Sequence, residues 1–122
     1  MEQTVDLLAT AKAVQKGRVS HCFRTAPNAG HEVTAGYIMD STREDIDNLS
    51  RLRDRLLETG TTLSTVTIRD KGNQFHTVTV AELSEIVGEL TDFGLGLYAK
   101  KWQLENEIET ATTVEAVEAI TW

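Results

Sequence analysis

The sequence has 122 residues, of which 40% are hydrophobic and 25% charged, and its formal net charge is −7. This length suits one domain with a modest core, and the acidic balance argues against nucleic-acid binding, which uses clustered Lys and Arg. No apolar run approaches the ~20 residues that span a bilayer, and the N-terminus lacks a signal-peptide core, so we expect neither membrane insertion nor export.

The first forty residues contain a helix and an extended segment. Apolar residues recur at loosely helical spacing over about residues 4–25, which predicts a helix. The helix should end near Pro27, because proline disfavours helical backbone at the residue before it. Residues 31–39 are rich in β-branched and aromatic side chains around a glycine, which favours a short extended segment or hairpin.

A second helix is predicted over about residues 42–59. Ser41 and Glu44 have the spacing of a capping box, in which each side chain bonds the other residue's backbone amide. Acidic residues crowd the first turn, where the helix dipole favours negative charge. An apolar stripe follows at helical spacing: Ile46, Leu49, Leu52 and Leu56.

Residues 64–79 alternate between apolar and polar side chains on both sides of a turn that includes Asp70. This pattern predicts a β-hairpin. Asp70, His76 and Glu82 also raise the alternative of a catalytic pocket. We favour the structural interpretation, because Asp70 belongs to the turn and Glu82 completes a capping box with Thr79.

A long helix is predicted over about residues 80–110, where leucines recur every seven residues at Leu83, Leu90, Leu97 and Leu104. Two interpretations remain open: packing inside the domain, or a seam shared with a neighbouring subunit. Glycines near residues 94–96 indicate a kink or the close approach of another segment.

A short helix should close the chain at residues 113–120, opened by a capping box from Thr112 to Glu115. The elements together predict an α+β fold, with three main helices, a hairpin, an extended segment and a C-terminal helix. We expect a single domain over residues 1–122, in which residues 1–40 precede a core of residues 41–122.

Aromatic residues supply the candidate binding surface. Tyr98 and Trp102 are four residues apart, so their rings share one helix face, where they either cover the edge of the core or anchor a partner. Trp122 is either a plug or a further anchor. The candidate interface residues are Leu90, Leu97, Tyr98, Lys101, Trp102, Leu104 and Trp122.

Catalytic, cofactor and metal sites are not expected. The histidines do not have metal-ligand spacing with other donors. Cys22 is the single cysteine, so it has no partner for an internal disulfide, and we expect it to be a small buried apolar residue.

The order of these features resembles an uncharacterised family of small domains of tailed bacteriophages. Such domains occur at the C-terminal end of tail-fibre proteins or as short stand-alone products encoded beside tail genes. The resemblance covers about residues 40–122 well and the first helix loosely. It rests on Arg43, Asn48, Asp70, Asn73, His76, Thr77, Thr79, Leu83, Leu97, Tyr98, Lys101, Trp102, Leu104, Ile108 and the segment ATTVEAVEAI at 111–120.

The resemblance implies a non-catalytic structural role in a phage tail, as a fibre, fibre-attachment or baseplate-associated protein. It further implies a location in the virion, other tail proteins as partners, and a homo-oligomer with a trimer favoured. One alternative is a tail-fibre assembly chaperone that is absent from the mature particle, and another is a small acidic enzyme or regulator.

Overall fold

The elements of the chain form an α+β fold in a computed structural model, which describes residues 6–58 and 65–122. The predicted fold class is confirmed. In chain order the elements are α1 (Leu7–Thr25), a 3₁₀ helix (Ala26–Ala29), β1 (His31–Glu32), β2 (Ile38–Met39), α2 (Arg43–Glu58), β3 (Thr65–Arg69), β4 (Phe75–Thr79), α3 (Val80–Thr110) and α4 (Val114–Glu118).

The element boundaries follow the predictions closely. The long helix α3 covers the predicted range of 80–110, and the segment at 31–39 is a short antiparallel hairpin, with His31 opposite Met39. The predicted ends of three elements, at residues 4–5, 59 and 64, lie outside the described residues. Among the helices of the described ranges, none combines the length and apolar character that crossing a bilayer requires.

The chain forms two compact units. The terminal unit comprises residues 1–25 and 96–122, and the central unit comprises residues 26–95. The helix α3 therefore contributes its first half to the central unit and its second half to the terminal unit. The organisation as a single domain stays a prediction.

The central unit packs α2, both hairpins and the first half of α3 around one core. In the β3–β4 hairpin, Val66 lies opposite Val78 and Ile68 lies opposite His76. The side chains of Ile68 and Val78 are buried, so this hairpin turns one face to the core. The buried core residues are Val33, Met39, Leu56, Ile68, Val78, Leu83, Ile86, Val87 and Leu90.

The terminal unit packs α1, the second half of α3 and α4 around a smaller core. Its fully buried apolar residues are Val19 from α1, Ile108 from α3 and Val117 from α4. Burial of these residues stabilises the unit, because removing apolar surface from water contributes about 25 cal/mol per Å². Partly buried neighbours complete this core: Leu8, Ala11, Leu104, Ala111, Ile120 and Trp122.

The helix α2 begins one residue later than the predicted capping box requires. Thr42 is its cap: the backbone N–H of Asp45 donates to Oγ1 of Thr42 (3.3 Å), and the N–H of Thr42 donates to Oδ2 of Asp45 (3.1 Å). Ser41 is buried, and its hydroxyl donates instead to the carbonyl of Pro27 (2.8 Å). The prediction of Ser41 as cap was wrong because a tertiary contact uses that hydroxyl.

The other two predicted caps have different outcomes. Between Thr79 and Glu82 the capping box is confirmed, since the N–H of Glu82 donates to Oγ1 of Thr79 (3.1 Å) and the N–H of Thr79 donates to Oε1 of Glu82 (3.2 Å). The cap of α4 is Thr113, whose Oγ1 accepts from the N–H of Ala116 (3.1 Å), rather than the predicted Thr112.

The glycines of α3 do not mark the close approach of another segment. The helix is continuous from Val80 to Thr110, and a Cβ added at Gly88, Gly94 or Gly96 has no other group within 4 Å. The expectation of a tightly packed neighbour was therefore wrong. Each glycine costs α3 about 1 kcal/mol relative to alanine without a packing contact in return.

Burial predicts a sharp difference between two leucines of α3. Leu90 has 0% exposure and Leu95 has 62%. We expect Leu90→Ala to lower the free energy of unfolding by about 2–5 kcal/mol, because it leaves a cavity in the core. The matched change Leu95→Ala should alter it by no more than about 0.5 kcal/mol. Urea denaturation of both variants measures this difference, and equal costs would contradict the assigned core.

Backbone conformation predicts opposite effects of alanine at two glycines. Gly96→Ala should raise the free energy of unfolding by about 0.5–1 kcal/mol, because the helix gains propensity and the new Cβ meets nothing. Gly30 has φ +77°, and a Cβ there would lie 2.7 Å from Ile38 Cγ2. Gly30→Ala should therefore destabilise the chain. Thermal unfolding checks both signs, and destabilisation by Gly96→Ala would show a close contact at that position.

Candidate functional site

The seven predicted interface residues are divided between the two units. Leu90 has 0% exposure in the core of the central unit, so its side chain is not available to a partner. The other six lie in the terminal unit. Among these, Leu97 and Leu104 are half-buried, and Leu104 packs against the small core. The exposed part of the predicted surface is therefore aromatic.

Four rings form a continuous row, which we call the aromatic row: Trp102, Tyr98, Phe23 and Trp122. The ring centroids of Trp102 and Tyr98 are 5.5 Å apart, and those of Tyr98 and Phe23 are 4.8 Å apart with an edge-on geometry. The row ends with an edge-on contact of 6.5 Å between Phe23 and Trp122. Edge-on contacts of this kind stabilise aromatic pairs by about 0.5–1.5 kcal/mol beyond burial.

Exposure increases along the row. Trp122 is half-buried, Tyr98 is 39% exposed, and Trp102 is 61% exposed. Trp122 therefore acts mainly as a plug on the small core, whereas Trp102 is open to solvent. A large aromatic side chain that stays exposed beside ordered rings is typical of an interface anchor.

Two lysines lie over the rings of this row. Nζ of Lys100 is 4.4 Å from the ring centroid of Trp122, and Nζ of Lys101 is 4.8 Å from that of Phe23. Lys101 also pairs with Glu105, at 3.6 Å. These cation–π contacts order the lysine stems and leave positive charge next to the aromatic surface.

An open groove adjoins the row at Trp122. Its volume is about 540 Å³, and it lies between α1 and the last residues of the chain. The side-chain amide of Gln15 donates to the backbone carbonyl of Ile120, which holds the C-terminal segment against α1. The lining residues are Val14, Gln15, Gly17, Arg18, Val19, His21, Cys22, Glu118, Ile120, Thr121 and Trp122.

Cys22 lies in this groove rather than in a core. Its side chain is half-buried and its thiol is free. The expectation of a buried cysteine was wrong, because Cys22 is half-buried and lines the open groove. Sequence patterns did not predict the groove, because its two walls, joined by the bond from Gln15 to Ile120, are 105 residues apart.

A second polar cluster lies in the central unit, at the turn between β3 and β4. Nε2 of His76 is 2.7 Å from Oδ2 of Asp70, and the backbone N–H of Gln74 donates to Oδ1 of Asp70 (3.0 Å). The imidazole of His76 stacks on the ring of Tyr37, with centroids 3.7 Å apart. Asp70 itself is 6% exposed. Residues of the turn and of the β1–β2 segment thus meet here.

Hydrogen bonding keeps Asp70 ionised. The bond from His76 lowers the pKa of the Asp70 carboxyl below its usual value, and the backbone bonds of the turn lower it further. An ionised carboxylate only accepts hydrogen bonds, so Nε2 of His76 carries the shared proton. Burial raises the pKa of the Tyr37 hydroxyl, and the nearby carboxylates of Glu82, Asp70 and Glu89 raise it further.

Hydrogen bonds engage both carboxylates of this region. Both carboxylate oxygens of Asp70 accept hydrogen bonds, and the Glu82 carboxylate caps α3. The sequence pattern indicated Asp70 and His76 as candidate site residues. It did not indicate Tyr37, which lies on a different segment. Within residues 6–58 and 65–122, no three His, Cys, Asp or Glu side chains converge to hold a metal ion.

Comparison with known proteins places the chain in a family. A protein-family model described as "Domain of unknown function (DUF4376)" matches residues 10–121. The chain belongs to this family. Neither a curated protein nor a solved structure matches the chain.

The DUF4376 match begins within α1 and ends at Thr121, so it covers parts of both units and three rings of the aromatic row, those of Phe23, Tyr98 and Trp102. The family description states no activity. The features of this DUF4376 chain that bear on its function are the aromatic row, the groove and the Asp70 cluster.

The low pKa of Asp70 predicts how the stability of the DUF4376 chain depends on pH. Because the folded-state pKa lies below the usual value of 3.8, the ionised carboxylate stabilises the fold above that pH. The contribution is lost as pH falls through the lower, folded-state value. We expect the Tm difference between the wild-type chain and Asp70→Asn to be largest near neutral pH and to shrink below about pH 4.

Thermal unfolding across this pH range measures the difference. Asp92→Asn is the matched control, because Asp92 is an exposed aspartate of α3 in the same unit. Its difference from wild type should change much less with pH. A Tm difference for Asp70→Asn that is independent of pH would contradict the assigned hydrogen bonds.

Proposed function

We propose that this DUF4376 chain is a non-catalytic, protein-binding component of a phage tail. It acts as a tail-fibre, fibre-attachment or baseplate-associated protein, and its partners are other tail proteins. The observation that carries the proposal is the aromatic row of the terminal unit, with Trp102 61% exposed at its open end.

Energetics supports a binding role for this row. Trp102 contacts Tyr98, and Tyr98 packs edge-on against Phe23. The rings of Trp102 and Tyr98 are therefore held in place before a partner binds. Binding then costs less side-chain entropy than ordering two free rings. Tryptophan and tyrosine are also the residues most often found to dominate binding energy at protein interfaces.

The phage-tail context comes from the sequence resemblance. That resemblance implies other tail proteins as the partners of the chain. The same resemblance favours a homo-oligomer, with a trimer as the expected state, and a location in the virion. The engaged carboxylates of Asp70 and Glu82 give the alternative of a small enzyme less support.

An assembly chaperone is the principal alternative function. A chaperone would use the same exposed aromatic side chains to hold a newly made fibre, since exposed apolar surface of this kind suits both roles. The two functions differ in where the chain is found after assembly. A structural component stays in the particle, whereas a chaperone leaves it.

The test is mass spectrometry of purified, washed particles of the phage that encodes the chain. We expect the chain to be present at a stoichiometry of a few to a few tens of copies, on the order of the copy numbers that symmetric oligomers give. Presence in the infected-cell lysate but not in the particle would support the chaperone. Absence of any association with tail proteins would reject both functions.

A pair of aromatic substitutions links this result to the aromatic row. Trp102→Ala should reduce recovery of the chain in particles at least tenfold while leaving its Tm within a few degrees, because the indole is largely exposed. Phe75→Ala is the matched control, since Phe75 is 72% exposed but belongs to the central unit. Equal recovery of the two variants would show that the interface lies elsewhere.

A further inference from the structure

We propose that the groove between α1 and the C-terminal segment binds a short acidic segment of the partner protein, anchored by one apolar side chain. This inference rests on the proposed function, because it names the partner chemistry at the surface that adjoins the aromatic row. It is carried by the apolar floor of the groove and by the charges at its rim.

The floor of the groove is apolar. Val14 is 49% exposed although it is an aliphatic residue, and it lies in the groove with Ile120 and the half-buried Trp122. Open apolar surface of this kind favours an occupant that brings an apolar side chain of its own. The floor therefore sets the requirement for an anchor residue.

Two basic side chains and one acidic side chain lie at the groove. Arg18 belongs to the lining, and its guanidinium donates a hydrogen bond to the neutral side chain of Gln15 (3.2 Å). Lys100 lies over the ring of Trp122, which forms part of the lining. Within the described part of the chain, neither Arg18 nor Lys100 pairs with a carboxylate. Glu118 is the acidic residue of the lining.

This charge is unusual for the chain as a whole. The central unit has twelve Asp and Glu residues against six Lys and Arg, whereas the terminal unit has seven against six. The net charge of −7 thus falls mostly on the central unit. Two unpaired cations beside an apolar floor, in an acidic protein, select an acidic occupant through electrostatic complementarity.

The size of the groove limits the occupant to a short segment. The lining residues of α1 run from Val14 to Cys22, a span of about 12 Å at the rise of an α-helix. An extended chain covers this length with roughly four residues. A segment with one apolar residue flanked by Asp or Glu therefore matches both the floor and the rim.

The probe is a library of random 12-residue peptides displayed to the full-length chain, followed by synthesis of the enriched sequences. We expect the enriched peptides to place Asp or Glu on both sides of an aromatic or aliphatic residue. Fluorescence polarisation should show binding at least tenfold weaker to Arg18→Glu, and to Lys100→Glu as a second variant, because each reverses a rim charge.

Two controls separate this effect from loss of folding or of overall charge. Arg51→Glu makes the same charge change on the exposed surface of the central unit, and its affinity should stay within twofold of wild type. Peptides in which Lys replaces the acidic residues should bind Arg18→Glu better than they bind the wild-type chain. A Tm close to that of wild type confirms that each variant is folded.

Cys22 reports where the peptide binds, because it is the single cysteine of the chain and lies in the groove. We expect a saturating acidic peptide to slow its reaction with a maleimide at least tenfold. Enrichment of basic or uncharged peptides, no enrichment, equal binding to Arg18→Glu, or unchanged labelling of Cys22 would each overturn the inference. Self-association that Arg18→Glu abolishes would overturn it in favour of a second copy as the occupant.

The two proposals fail in different ways. Absence of the chain from phage particles would reject the structural role without changing the acidic selectivity of the groove. Conversely, particles could retain the chain in a manner that depends on Trp102 but not on Arg18, which would reject only the acidic segment.

Discussion

Burial of the apolar face of α3 is the constraint on which the rest of the structure depends. A helix of 31 residues has more apolar surface than one small core covers, and its leucines recur every seven residues. Leu83 and Leu90 are fully buried in the central unit, whereas Leu104 packs against the core of the terminal unit with Ile108. Because each half of α3 is covered by elements of this chain, most of the leucine stripe is used in folding.

For the first half of α3, this burial favours packing of the leucines inside the domain over a seam with a neighbouring subunit. A seam with a neighbouring subunit requires exposed apolar positions along the stripe. Leu83 and Leu90 are buried and do not offer such positions, whereas the exposed large apolar residues of α3 are Leu95, Tyr98 and Trp102. We therefore do not expect Leu83 and Leu90 to form a leucine zipper with a partner.

Local sequence signals predicted the elements well because each signal acts over a few residues. Periodicity located α3, alternation located the β3–β4 hairpin, and the Thr79–Glu82 spacing located its helix cap. The cap of α2 shifted from Ser41 to Thr42 because Pro27, fourteen residues away, accepts the Ser41 hydroxyl. Contacts of that kind depend on the tertiary fold, so spacing alone does not predict them.

The candidate site likewise combines contacts that local spacing predicts with contacts that depend on the tertiary fold. The spacing of Tyr98 and Trp102 predicted that their rings share a face, and the rings are in contact. Phe23 and Trp122 join them from distant parts of the chain, as Tyr37 joins the Asp70–His76 pair. Composition predicted an acidic protein but not that its negative charge lies mostly in the central unit, since that requires knowing which segments pack together.

The aromatic row leaves one side chain whose exposure folding does not explain. Trp122 covers the core, Phe23 supports Tyr98, and Trp102 contacts Tyr98 while 61% of its surface stays in water. An exposed indole contributes little to the stability of the unit and adds an aggregation risk. Lys100 and Lys101 lie over rings of the row, and Lys101 also pairs with Glu105. Under the proposed binding role, the charge of Lys100 beside these rings favours an acidic partner.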